Sequence, residues 1–310
     1  MRALITGATG TIGQRLSASL GPDTTPLRRA ERPGGEAAAW DGLHAPSSAP
    51  FEGLDAVFHL AGEPVAEGRW TTEKKRRILE SRTLGTRAIV EAIGRTARRP
   101  RVLVCASAVG FYGDRGDEPL TEASPAGEGF LSDVCVAWEE EALEAERRFG
   151  VRTVTLRIGI VLSPTGGALA RLRPIFGAGL GGRLGDGLGW MPWVHVDDVV
   201  GLMLHAATTP TLHGAVNAVA PCAVQNAEFT RALGRTLRRP TVLPVPTLAL
   251  RVAFGELAQV LLASQRVAPE RALASGFRFA HARLDGALAD VLHKAEAPSA
   301  RAPLLAEGAR

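Results

Sequence analysis

Lysine and tyrosine are nearly absent from this chain of 310 residues. Lysine occurs only at 74, 75 and 294, and Tyr112 is the single phenol. A Tyr-x-x-x-Lys pair, in which a lysine one helical turn away lowers the pKa of a phenol, cannot be written anywhere in it. Cysteine is scarce too: Cys105, Cys135 and Cys222 are odd in number and unrelated in spacing. Neither a disulfide framework nor a zinc site follows from them, and they fit three reduced thiols in a cytosolic protein. No apolar run approaches the roughly 18 residues of a membrane span. The start, Met1-Arg2 followed by a strand, does not read as a signal peptide. Aromatics make up 5% and the net charge is only +4. With arginines scattered and no basic–aromatic interleaving, neither nucleic acid nor a membrane is an expected partner. A small phosphate-bearing ligand suits that mild excess better. Arginine outnumbers lysine 33 to 3, which reads as coding bias in a GC-rich genome.

What is present begins at once. The apolar run Ala3-Leu4-Ile5 leads into Gly7-Ala8-Thr9-Gly10-Thr11-Ile12-Gly13 and then an amphipathic stretch with Ile12, Leu16 and Leu20. This is the strand, tight turn and helix of a dinucleotide-binding βαβ unit. Gly7 permits the turn, Gly10 lets the backbone approach a pyrophosphate, and Gly13 lets the helix pack on the strand. The helix amides and dipole face the anion.

Strand-like and helix-like segments then alternate for about 220 residues. Strands are expected at Asp23–Leu27, Asp55–Ala61, Val102–Cys105 and Val151–Leu156, and helices at Thr83–Ile93 and Ala137–Phe149. Residues 30–50 read as a surface connection. This order predicts an α/β fold, a Rossmann doubly wound parallel sheet with its ligand at the carboxyl ends of the strands. From about 225 the pattern turns helical (Ala227–Leu237, Leu248–Leu262), giving a smaller, mainly helical C-terminal lobe. The expected organisation is a dinucleotide-binding domain over 1–222 with a substrate-side loop at 163–198, a helical domain over 223–295, and a tail over 296–310.

Several further strings occur together: Leu60-Ala61-Gly62-Glu63-Pro64, Arg69-Trp70, Ser81-Arg82, Ser107-Ala108-Val109-Gly110-Phe111-Tyr112-Gly113, Trp190-Met191-Pro192-Trp193-Val194-His195-Val196-Asp197-Asp198 and Gln265-Arg266-Val267. With them the chain resembles the atypical short-chain dehydrogenase/reductases of the sugar-nucleotide epimerase-like family, which carry their own C-terminal domain. The resemblance spans residues 1–295 and implies a Rossmann fold with NADP(H) bound. It implies cofactor contacts at Gly7, Thr9, Gly10, Thr11, Ile12 and Gly13. Others fall at Leu27, Arg28, Arg29, Leu60, Ala61, Gly62, Arg82, Ser107 and Ile160. The resemblance does not carry a reaction. It places the superfamily's catalytic serine, tyrosine and lysine at Ala108, near Leu131 and near Cys135, where none of the three roles can be filled. No catalytic residue is assigned; Tyr112 and Ser107 are weak candidates, and Cys135, beside Asp133 and Glu139, is weaker still.

Arg28 and Arg29 follow the second strand with no carboxylate at the position that would bind a ribose 2′-hydroxyl, which favours NADP over NAD. Arg82 is expected at a helix start against the cofactor phosphates, with a capping serine and a surface arginine as the plainer alternative. Residues 177–189 hold seven glycines and are expected to order only when something docks. His195-Val196-Asp197-Asp198 reads as a structural turn capped by Asp197 or Asp198, with acid–base or metal chemistry as the alternative. Two functions stay open. One is an NADP(H)-dependent oxidoreductase or epimerase-like enzyme on a small polar or nucleotide-sugar-like substrate. The other is a non-catalytic NADP(H)-binding redox sensor or regulator.

Overall fold

The computed structural model describes residues 1–29 and 39–296, with side chains at 1–27 and 40–293. Seven parallel strands form one sheet: β1 (Ala3–Thr6), β2 (Thr24–Arg29), β3 (Ala39–Trp40), β4 (Ala56–His59), β5 (Val102–Ala108), β6 (Arg152–Ile158) and β7 (Gly214–Ala218). Their order across the sheet is β7-β6-β5-β4-β1-β2-β3, so the order of winding reverses between β1 and β4. The inner strands are apolar and buried on both faces, as a parallel sheet covered by helices requires.

Alternate residues of each strand serve opposite layers. Ile5, Phe58 and Val104 pack with Leu16 of α1 (Thr11–Leu20). Leu4, Val57 and Leu103 face Ile89 and Ile93 of α2 (Thr72–Gly94) and Trp138 and Ala142 of α3 (Phe130–Phe149). Beyond β6 come α4 (Gly167–Gly177) and α5 (Val196–Thr208), whose Val199, Leu202 and Met203 join the first layer. After β7 follow α6 (Asn226–Leu237), α7 (Thr247–Phe254), α8 (Leu257–Leu262), α9 (Glu270–Ala274) and α10 (Leu284–Glu296). A third apolar cluster joins α6 and α10 to Leu162, Leu169, Phe176 and Trp193, so the C-terminal helices share their core with the segment before α5. No helix among the described residues is long and apolar enough to cross a membrane.

Three expectations need correction. Helix α2 starts at Thr72, eleven residues earlier than its apolar pattern indicates, so Ser81 and Arg82 lie inside it rather than at its start. Its first turns are held by surface ion pairs (Arg76 with Glu73 and Glu80) and by Thr71, whose hydroxyl caps the Lys74 amide. Helix α4 falls inside the stretch read as a loop. The single helix expected over Leu248–Leu262 breaks into α7 and α8 at Gly255, at φ 58°.

The start of α5 departs from the sequence reading as well. His195, not Asp197 or Asp198, caps the helix: its Nδ1 accepts the Asp197 amide at 3.1 Å. Asp198 turns to the C-terminal segment and accepts the amides of Ala280 (2.7 Å) and His281 (3.0 Å), and Arg15 holds Asp197 through two nitrogens. Asp198 is buried, so Asp198→Ala strands two amide donors. Each lost hydrogen bond to a charged acceptor costs about 1.5–3 kcal/mol, toward the low end here because Ala280 is exposed. A denaturant midpoint reporting a loss of about 2–4 kcal/mol is expected; a loss below about 0.5 kcal/mol would show that the 280–281 contact adds nothing to stability.

Candidate cofactor site

The Gly-rich turn joins β1 to α1 at the carboxyl edge, at the β1/β4 reversal where α/β folds bind ligands. Its glycines have different jobs. Gly7 sits at φ 70°, and a Cβ there would stand 2.8 Å from the Leu60 carbonyl carbon. On Gly13 a Cβ would meet the Gly7 oxygen at 2.2 Å. The fold itself demands both. Gly10 has ordinary extended angles (φ −75°, ψ 167°), and its Cβ would come no nearer than 3.4 Å to Gly7 O. Nothing in the polypeptide requires a glycine there. Helix α1 has no side-chain cap and no acid in its first turn, so its leading amides are available to an anion.

Next to the turn, Thr6 Oγ1 accepts the amides of Leu60 (3.1 Å) and Ala61 (3.2 Å), fixing the loop after β4. Its own proton goes to His59 Nδ1 at 2.7 Å, so the His59 Nε2 proton faces Thr86 Oγ1 at 3.0 Å. Burial, with the Arg82 charge adding to it, lowers the His59 pKa to about 3. Leu27, buried, pairs with Thr6 from β2. Arg28 and Arg29 end β2, but their side chains lie outside the described residues. Ile160 begins a short strand (Ile160–Leu162) paired with Trp193–His195. Gly166, ahead of α4, presses on Thr11: a Cβ on it would lie 2.1 Å from Thr11 Oγ1.

Arg82 reaches the β4 loop from α2. Its Nη1 donates to the carbonyls of Glu63 (3.0 Å) and Ile78 (3.1 Å), and the guanidinium stacks under Gly62 and over the Trp138 ring. The Glu63 carboxylate pairs with the buried Lys74 at 2.7 Å. The connection carrying Glu63 also spans to neighbouring elements. Arg69 donates to the Val252 carbonyl at 3.0 Å, Lys75 pairs with Glu256, and Arg171 bonds the Ala66 carbonyl.

Beneath this groove lies a polar network that the sequence did not reveal. Ser107 Oγ donates to Glu139 Oε1 at 2.6 Å, and Arg157 grips both Glu139 oxygens at 2.9 and 2.8 Å. Arg157 Nη1 donates to the Tyr112 hydroxyl at 3.0 Å. That hydroxyl in turn faces Asn217 Oδ1 (2.7 Å) and the Thr121 carbonyl (3.0 Å). Tyr112 is 0% exposed and Ser107 3%. Burial raises the Tyr112 pKa, with Arg157 opposing it. Both weak catalytic candidates are therefore spent inside the fold. Burial, then Glu139, pushes the Cys135 thiol up to about 11, away from nucleophilic use.

The Gly-rich 177–189 segment is tied down on both sides. Asn226 Oδ1 accepts the Leu184 amide (2.7 Å), Arg183 and Gly185 exchange backbone bonds with Val245, and Gly189 O accepts the Asn226 amide. His195, Asp197, His281 and Asp290 bring ligand-type atoms within 4.8 Å of one another. His195 Nδ1 is already an acceptor, so its proton sits on Nε2, 3.1 Å from Asp290 Oδ2. Presenting Nε2 to a metal would force two N–H groups together at Nδ1. The donor set does not fit a resident cation.

Residues 3–218 match the family model described as the NAD dependent epimerase/dehydratase family, and 245–291 match a domain of unknown function. The chain belongs to the NAD-dependent epimerase/dehydratase family. An epimerase family protein of Mycobacterium bovis is 40% identical over 293 residues, covering 92% of this chain and 95% of that one. Human epimerase family protein SDR39U1, whose crystal structure was determined with NADPH, superposes with a TM-score of 0.85 at 33% identity, over 94% of this chain and 99% of that chain. A nucleoside-diphosphate sugar epimerase of Corynebacterium glutamicum gives a TM-score of 0.73 at 34% identity, over 94% of this chain and 57% of its own.

His59 makes a pH prediction possible. Unfolded, it binds a proton near 6.5; folded, only near 3. Between those values the unfolded chain binds more protons, so stability falls as pH drops through that window, by at most about 1.4 kcal/mol per pH unit. His59→Asn is expected to flatten the stability–pH curve there. An unchanged slope would show that His59 is protonated in the fold.

Proposed function

We propose that this chain binds NADP(H) across the Gly7–Gly13 turn and the carboxyl ends of β1, β4 and β5. On this reading it is an oxidoreductase or epimerase-like enzyme on a small polar or nucleotide-sugar-like substrate, working without the Ser/Tyr/Lys triad. The observation that carries this is Gly10, a glycine the polypeptide has no need of, placed before an uncapped helix start. The NADPH found with the human relative supports it. The amides of Thr11, Ile12 and Gly13 would hold the pyrophosphate, and Leu27, Leu60 and Ala61 would flank the adenosine half. Arg28 and Arg29 would meet the 2′-phosphate. When bound, the cofactor supplies hydride chemistry at the β5 end. The three free cysteines, two of them buried, fit a reducing, cytoplasmic setting.

A non-catalytic sensor is the second reading, favoured by the engagement of Ser107 and Tyr112 in the buried network. NADPH turnover against a panel of carbonyl compounds and nucleotide sugars separates the two. NADPH is expected to bind more tightly than NADH by about 1.5–3 kcal/mol, the worth of a charge-assisted contact to the 2′-phosphate. Gly10→Val is expected to leave circular dichroism unchanged while abolishing NADPH binding. Retained binding in the folded variant would move the phosphate site elsewhere.

A further inference from the structure

Leu131, Cys135 and Trp138 fall at i, i+4 and i+7 along α3 and share one face. The turn after β5 packs on that face: a Cβ on Gly110 would stand 3.3 Å from Leu131 Cβ and 3.8 Å from Cys135 Sγ. Family resemblance places the missing tyrosine and lysine at 131 and 135. Arg82 arrives at the same place from α2, its Cζ 4.9 Å from the Trp138 ring centre and packed against Gly62. The groups facing it are His59 at the end of β4, Glu63 in the following loop, and Cys135 on α3, with Glu139 just behind Cys135. Among the described residues no carboxylate comes within ion-pair distance of Arg82, because Glu63 is bound to Lys74. Two carbonyls hold Nη1, while Nε and Nη2 make no hydrogen bond among the described residues.

A half-buried cation with no ion-pair partner among the described residues is costly, and a fold keeps one where something pairs with it. Arginine tolerates the site where lysine would shed its proton, since burial lowers the Arg82 pKa only from a very high starting value. Resting on the cofactor reading above, we infer that Arg82 supplies the fixed positive charge that lysine brings to the nicotinamide end of this groove. Its Nε and Nη2, which make no hydrogen bond among the described residues, would donate to the ribose hydroxyls of the nicotinamide half. Arg82 is thereby a positioning residue of the cofactor site, with its charge delivered from α2 instead of α3.

The single native tyrosine makes a direct test practical. Leu131→Tyr introduces one phenol a helical turn before Cys135, where the Arg82 charge is felt, and tyrosinate absorbance reads its titration against a parent whose only phenol, Tyr112, is buried. With Arg82 present the new phenol is expected to titrate below its ordinary value of about 10; with Arg82→Met added, its midpoint should rise to about 10 or above. Equal midpoints in the two variants would overturn the inference, whether or not any cofactor binds. A second measurement needs no introduced tyrosine. Arg82→Met is expected to weaken NADPH at least tenfold, leave adenosine 2′,5′-bisphosphate binding unchanged, and be rescued in part by Arg82→Lys. Equal losses for both ligands would place Arg82 at the adenosine phosphates instead and overturn the assignment. Failure of the wild type to bind either ligand would count against the cofactor reading alone, leaving the phenol titration to judge Arg82.

Discussion

One buried ion pair, Glu139 with Arg157, organises the carboxyl edge of this sheet. The two side chains are 8% and 6% exposed, and either charge alone would cost several kcal/mol to bury. The pair survives because its remaining valences are filled. Glu139 also takes the Ser107 proton, and Arg157 also bonds Tyr112 and lies 3.4 Å from the Phe111 ring centre. Through these contacts α3, β5, β6, the 109–112 turn and, by way of Asn217, β7 are locked to one another. The same contacts decide what the site can do. A serine at the end of β5 and a tyrosine one turn later look like acid–base groups, yet the pair claims both hydroxyls for structure.

That division explains why the cofactor groove was legible in sequence and the network was not. The Gly-rich turn is a local object: a strand, three glycines and a helix within thirteen residues, each glycine serving a backbone need that its neighbours state. The side chains of the network join positions 18 to 105 residues apart. Its one visible trace is Arg157, a charge inside the otherwise apolar and hydroxyl-bearing run Thr153–Ile158. Glu139 hides among acidic neighbours that are solvated. Lys74 hides likewise: in a basic run it reads as surface, and only the folded chain buries it against Glu63.

The elements misread from sequence share a cause. Apolar periodicity finds the part of a helix that faces a core, so α2 was recognised from Thr83 but not over Thr72–Arg82, where few residues are buried and ion pairs hold the turns. Helix α4 is bounded by glycines and interrupted by Pro174, signals that also describe a loop. At α5 an aspartate is the ordinary cap, and Asp197 and Asp198 stood ready. The carboxylates were drawn off to Arg15 and to the 280–281 backbone, and His195 was left to accept the amide. In each case a tertiary partner outweighed the local preference.

The two halves of the groove follow different rules. The phosphate half depends on backbone: amides, a helix dipole and room for a ligand, which Gly10 keeps at no cost to the rest of the chain. Such a site tolerates wide change in composition, including the near loss of lysine. The nicotinamide half depends on side chains, and there Ala108, Leu131 and Cys135 stand where resemblance places serine, tyrosine and lysine. What persists at that end is charge without a mobile proton: a guanidinium from α2 within electrostatic reach of Cys135, and a thiol and a phenol whose pKa values burial has raised. A groove of that kind holds and orients a dinucleotide. On the reading proposed above, a proton accompanying hydride chemistry would come from water or the substrate, because burial raises the pKa values of the Cys135 thiol and the Tyr112 phenol.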